Sequence, residues 1–244
     1  MSRRAVLTAA LLGPAMAGPA LLGHALPAAT WLRPVRRLTP RIAGRGGPRH
    51  VALTLDDGPD PGSTPHFLDE LDRLDCRATF FVLGTMLRRV PSLGRRIVGE
   101  GHEIAVHGWH HDNTLTTRPG RTSAGIRDTV HLIEDVCGVT PSWYRPPYGA
   151  LSTEALLGAR RQGLHPVLWT AWGKDWTASA TPASVLETLA PGLTGGATLL
   201  LHDSDVTAAP GAWKSTLGAL PEVVARCRAA ALTVGPLRDH GVHP

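Results

Sequence analysis

From His50 onward, apolar and polar positions alternate between two periods. Val51–Leu55 is a short apolar run, and Thr64–Leu74 follows with apolar residues at helical spacing. Ala78–Leu83 is β-branched and aromatic, Arg95–Glu100 ends a helix, and Glu103–Val106 is the next strand. Ser123–Val136 carries Ile126, Val130, Ile133 and Val136 near helical spacing. Ser142–Arg145, Pro166–Thr170, Ala197–Leu201 and Ala231–Val234 complete the strands, with helices at Thr153–Arg161, Pro182–Ala190 and Leu217–Ala230. About seven strand–helix units at this spacing predict a single α/β domain with a parallel sheet, open or closed into a barrel.

Polar residues are phased against this order. Asp56-Asp57 follow the first strand, His107 the third, Arg145 the fourth, Asp175 the fifth and His202-Asp203 the sixth. In a parallel barrel those strand ends share one rim, so residues far apart in the chain meet there.

The rest of the chain divides by composition. Residues 1–28 open with Arg3-Arg4 before an uncharged Ala/Leu-rich run, with small residues at Ala15-Met16-Ala17. That order predicts a secretory signal, resembling the twin-arginine type, and a secreted or cell-surface protein; a retained membrane anchor is the competing reading. Residues 29–48 are rich in Pro, Arg and Gly without periodicity and read as a linker or N-terminal arm. The domain is expected over 49–236, with a C-terminal tail at 237–244. The 244 residues carry a net charge of +5, which falls to +3 without Arg3 and Arg4. The basic residues are spread along the chain apart from small groups such as the arginines between Arg33 and Arg49, which reads as a composition bias, with weak attraction to an anionic surface such as a cell wall as the functional alternative; no nucleic-acid partner is expected. Cys76, Cys137 and Cys227 allow either one disulfide with an odd thiol or three separate thiols.

Candidate chemistry sits in five segments. In Asp56-Asp57-Gly58-Pro59, adjacent carboxylates repel unless a cation compensates them. On an extended strand end they point to opposite sides, so one can ligate a metal while the other faces water or substrate. The competing reading is a solvated Asp-Gly-Pro turn. His107 and His111 are four apart and reach one point from a helical turn, although His107 with His110 also fits a turn. Two imidazoles with Asp57 as third ligand suit Zn²⁺ and other first-row divalent ions. Arg145-Pro146-Pro147-Tyr148-Gly149 is a rigid turn whose Arg can pair with a carboxylate and whose backbone N–H groups can face an anion. His202 follows the buried run Leu199-Leu200-Leu201, where histidines are commonly structural. Trp169, Trp172 and Trp176 cluster around Asp175 and read as core or as the wall of a sugar site.

Taken in order, these segments resemble the polysaccharide deacetylases, the family-4 carbohydrate esterases that include chitooligosaccharide and peptidoglycan N-acetylglucosamine deacetylases. The family's Thr-Phe-Asp-Asp-Gly-Pro motif is similar to Thr54-Leu55-Asp56-Asp57-Gly58-Pro59. Its His-(Ser/Thr)-x-x-His motif is similar to His107-Gly108-Trp109-His110-His111. Its Arg-Pro-Pro-Tyr-Gly turn stands at Arg145–Gly149, its Asp-Trp pair at Asp175-Trp176, and its Leu-x-His at Leu200-Leu201-His202. Leu55 replaces an aromatic, Gly108 replaces Ser/Thr, and Trp172 stands where an outer acid is often found.

The resemblance implies a distorted (β/α)7 barrel and a metal-dependent hydrolase that deacetylates N-acetylglucosamine-containing polysaccharide. An O-acetyl carbohydrate esterase and a non-catalytic glycan-binding domain are the alternatives. It further implies a divalent metal, Zn²⁺ or another first-row ion such as Co²⁺, held by Asp57, His107 and His111. Asp56 is then the general base, oriented by Arg145, and His202 the general acid, paired with Asp175. The Tyr148 backbone N–H faces the oxyanion, and Trp176 and Leu200 wall the acetyl pocket. The implied partner is an acetylated polysaccharide or oligosaccharide, with no obligatory protein partner.

Overall fold

A curled, all-parallel sheet surrounded by helices forms the domain. The computed structural model describes residues 23–242; most of the expected leader, residues 1–22, lies outside the described residues. The strands are β1 (His50–Asp56), β2 (Thr79–Leu83), β3 (Glu103–Gly108), β4 (Trp143–Tyr144), β5 (His165–Pro166), β6 (Ala171–Trp172), β7 (Thr198–His202) and β8 (Thr233–Gly235). They run in the order β5-β4-β3-β2-β1-β7-β6, with β8 joined to the start of β1. The run expected as a fifth strand, Pro166–Thr170, is irregular beyond Pro166 and is flanked by the two-residue β5 and β6. Between them the Leu168 N–H donates to Ile42 and the Thr170 N–H to Thr198, which bends the chain away from regular pairing.

The helices are α1 (Arg33–Leu38), α2 (Thr64–Arg73), α3 (Gly84–Arg89), α4 (Pro91–Gly99), α5 (Arg121–Cys137), α6 (Thr153–Arg161), α7 (Pro182–Leu189) and α8 (Trp213–Ala229). Local chemistry sets several of their ends. Pro182 pre-sets the first turn of α7, where the Thr181 and Ser184 side chains and backbones exchange hydrogen bonds in a capping box. Ser152 accepts from the Ala155 N–H at the start of α6.

Both faces of the central strands are buried, as parallel sheets require. Alternation then sorts their side chains. Val51, Leu53 and Leu55 of β1 pack outward with Leu199 and Leu201 of β7 against the helices. Ala52 of β1 joins Phe81, Ala105, Trp143, Val167, Leu237 and Val242 in a second cluster inside the curl. Thr54 and Asp56 share the Ala52 face, so β1 carries its polar positions inward and up to the rim. All three cysteines are free, which excludes a disulfide among them.

One buried histidine has a consequence for stability. His102, 3% exposed, accepts a hydrogen bond from the Ala78 N–H at Nδ1 (3.2 Å), and its ring lies edge-on to Phe80. Burial, aided by the Arg77 charge, pushes the imidazole down to about 4, so it is neutral in the folded chain. The unfolded chain takes up a proton near pH 6.5, so this group's stabilising contribution is complete above that pH and is lost as pH falls towards 4. Between pH 7 and 5 the loss from this site is expected to be about 2 kcal/mol. Urea unfolding at the two pH values checks it: His102→Gln should show a smaller pH difference than the native chain, and an equal one would contradict the assignment.

Candidate active site

The strand ends carry their polar side chains into one cleft of about 260 Å³. Asp56 and His202 are register partners on the neighbouring strands β1 and β7. Arg145, just beyond β4, is fully buried beneath them. Its Nη1 donates to Asp56 Oδ1 and to Thr54 Oγ1, both at 2.7 Å, and its Nη2 donates to the Leu168 carbonyl at 3.1 Å. The guanidinium also lies 4.0 Å from the centre of the Phe81 ring. Burial pushes the Arg145 pKa down and Asp56 pushes it back up. The ion pair fixes Oδ1 of Asp56 and leaves Oδ2 towards the cleft, 3.9 Å from His107 Nε2.

Asp57 follows at φ 81°, in the left-handed region. The two aspartates therefore do not separate by strand alternation, as the sequence suggested; the turn brings both carboxylates to the same imidazole. Asp57 Oδ1 lies 3.3 Å from His107 Nε2 and 3.5 Å from His111 Nε2. The histidine rings meet with centroids 5.2 Å apart. They do so across the end of β3 and an irregular turn, not across a helical turn. His110 is exposed and outside this group, which selects His107 with His111 over His107 with His110. The turn needs Gly108, whose φ of 113° is disfavoured for any residue with a Cβ. That is a conformational reason for glycine where the family motif has Ser/Thr.

The donor set fits a divalent ion. Asp57, His107 and His111 offer three ligand atoms within 4.8 Å of one another. His107 Nδ1 donates to the Arg145 carbonyl (2.8 Å), so its Nε2 lone pair faces the cluster. Asp57 Oδ1 is buried with no hydrogen-bond partner, while Oδ2 accepts from Thr207 Oγ1 at 2.5 Å. Burial opposes ionisation of Asp57, but the adjoining imidazoles, above all His107 and the cationic His202, hold it well below the usual carboxylate range. Burial, with His107 beside it, pushes His111 down to about 4 and keeps its lone pair available.

His202 closes the other side. Its Nδ1 lies 3.0 Å from Asp175 Oδ1, and its backbone N–H donates to Asp175 Oδ2 at 2.8 Å. Thr216 also donates to Oδ2, at 2.5 Å. Burial disfavours the imidazolium, yet Asp175 outweighs it, with help from Asp57 and Asp56, and raises the pKa to about 10. Trp176 is edge-on to His202 at 5.8 Å, and Leu200 and Tyr148 also line the cleft. Tyr148 sits at φ 58° with its ring exposed over His111. All ten candidate residues thus lie in or directly beneath one cleft.

The polysaccharide deacetylase family model matches residues 43–167 of the 244-residue chain. This chain belongs to the polysaccharide deacetylase family. It is 37% identical over 158 residues to a chitooligosaccharide deacetylase of Bradyrhizobium sp. (strain ANU 289), covering 64% of this chain and 72% of that one. It is 35% identical over 161 residues to a peptidoglycan N-acetylglucosamine deacetylase of Listeria monocytogenes, covering 66% of this chain but only 34% of that one. The chain thus spans about a third of the length of that longer family member. In three dimensions it resembles the crystal structure of the Bc1960 peptidoglycan N-acetylglucosamine deacetylase, with a TM-score of 0.75 at 26% identity over 84% of this chain and 95% of that one. Among the described residues no helix is long and apolar enough to cross a membrane.

Several members of the site had no role assigned from the sequence. Thr54, Thr207 and Thr216 each make one hydrogen bond to a polar site residue. Asp203 holds the loop after Asp57, accepting from the Gly58 N–H at 3.2 Å and from Thr64 Oγ1 at 2.5 Å. Trp31 lines the cleft from the N-terminal arm, its Nε1 donating to the Gly149 carbonyl at 3.0 Å.

Proposed function

We propose that the protein is a metal-dependent deacetylase of N-acetylglucosamine polymers, chitooligosaccharide or peptidoglycan, acting outside the cell or at its surface. The supporting observation is that Asp56 and His202, register partners on neighbouring strands, line one cleft together with His107 and His111, with Asp57 buried directly beneath. A divalent ion on those three, such as Zn²⁺ or Co²⁺, supplies Lewis acidity towards a water and the acyl oxygen.

The protein's own groups do the rest. Arg145 fixes one oxygen of Asp56 and leaves the other to take a proton from the attacking water as its oxygen bonds to the acetyl carbon. The Tyr148 N–H faces the oxyanion that develops on the acyl oxygen. An amine leaves poorly without a proton. His202, kept cationic by Asp175, gives its proton to the sugar nitrogen as the C–N bond breaks, releasing acetate and a free amine. Trp176 and Leu200 wall the space for the acetyl methyl.

Acetate release from chitooligosaccharides, peptidoglycan glycan strands and acetylated xylan tests this. Release from the N-acetylated glycans is expected, and His202→Ala should lose more on the amide than on any ester it cleaves, because an alkoxide needs less help to depart. Release from acetylated xylan alone would overturn the reading in favour of an O-acetyl esterase.

A further inference from the structure

The arginines between Arg33 and Arg49 find a place in the fold that the reaction does not use. Arg36 of α1 lies 5.9 Å from the centre of the Trp31 ring and donates from Nη2 to the Trp169 carbonyl. Trp31 meets Trp169 edge-on at 5.6 Å and Trp172 at 6.5 Å, so the arm extends the aromatic wall of the cleft. Trp31 is 41% exposed, and its hydrogen bond to Gly149 fixes the ring. Thr170, the residue after Trp169, lines a second cavity of about 240 Å³ with Arg36, Arg37 and Arg45. Among the described residues, no carboxylate lies within 4 Å of these three guanidinium groups. Half-buried Arg36 has Arg45 as its charged neighbour, and burial together with that like charge pushes its pKa down. Cations that share one cavity without a carboxylate partner are relieved by an anion, and guanidinium groups present paired donors that match a carboxylate.

We propose that the N-terminal arm adds an acidic-sugar subsite to the cleft, in which Trp31 stacks a sugar ring and Arg36, Arg37 and Arg45 bind a carboxylate on the same glycan. The inference rests on the reading that the cleft takes acetylated glycan, and it selects a carboxylate-bearing polymer, such as peptidoglycan strands, over a neutral one. Both elements lie after residue 28, so they are kept when the expected leader is removed.

Binding to a turnover-blocked Asp56→Asn protein, by titration calorimetry, separates the two ideas. The probes are a peptidoglycan fragment retaining its carboxylates and a chitooligosaccharide of equal length. Adding Arg37→Gln and Arg45→Gln, both at exposed positions, should raise the ratio of the two dissociation constants about tenfold against the acidic glycan. High salt should raise the same ratio without the arginine changes. Trp31→Ala should weaken both glycans by similar factors. An unchanged ratio after the arginine substitutions, or a ratio that ignores salt, would overturn the subsite. Failure of the deacetylase reading would show separately, as charge-dependent binding with no acetate released from either glycan by the chain with Asp56 intact.

Discussion

Asp56→Asn is expected to slow acetate release from an N-acetylated glycan by about 10²–10⁴-fold, the usual contribution of a positioned acid or base. The substitution keeps the shape of the side chain and an oxygen for Arg145, but the atom facing the cleft becomes an amide that cannot take a proton. His202→Ala should cost a similar factor, because the leaving nitrogen then departs without a proton. The two variants differ in what else they disturb. Asn leaves the buried Arg145 cation with a neutral partner, whereas Ala leaves the buried Asp175 carboxylate without its imidazolium, so both should also lower stability. Combining both should cost less than the product of the single losses, since each step needs the other. Single-turnover acetate release alongside urea unfolding measures both effects. A catalytic loss under threefold for Asp56→Asn would remove it as the base.

The second large effect concerns the three-donor cluster. In the native chain, a divalent ion at a hundred times its dissociation constant should stabilise the fold by about 2.7 kcal/mol. For a domain of this size that corresponds to a rise of roughly 5–10 °C in Tm. His111→Ala removes one donor and should abolish most of the rise. It should cost the fold little, because His111 is only partly buried and its Nδ1 makes no hydrogen bond. His107→Ala should do the same to metal binding but cost more stability, because His107 is buried and bonded to the Arg145 carbonyl. A metal-induced shift that survives both substitutions would place the ion elsewhere.

The site was legible in the sequence to the extent that strands end abruptly. Val51–Leu55, Ala78–Leu83 and Ala197–Leu201 are long enough in apolar residues to fix their C-terminal ends, and so the rim on which Asp56, Asp57 and His202 stand. Where strands shorten, that logic fails. Pro166–Thr170 looked like one strand because Val167, Leu168 and Trp169 are all apolar. They are buried as core while their backbone pairs irregularly, and burial alone does not report hydrogen bonding. The choice between His110 and His111 depended on a turn at Gly108 that spacing does not encode.

The supporting threonines were invisible for a different reason. Thr54 meets Arg145 across 91 positions, Thr207 meets Asp57 across 150, and Thr216 meets Asp175 across 41. A lone threonine has no periodicity, and its partner is defined only once the sheet curls. Trp31 was hidden in a segment rich in Pro, Arg and Gly whose own pattern favours no element. Its position comes from contacts with Trp169, Trp172 and Gly149 rather than from local propensity.

Stripping the native protein with a chelator, adding back a divalent ion, and following ion content and acetate release from an N-acetylated glycan in the same samples puts the whole arrangement at stake. Acetate release should vanish with the ion and return in proportion to it, up to about one ion per chain. Undiminished release from protein shown to be free of metal would mean that Asp57, His107 and His111 gather for some other purpose.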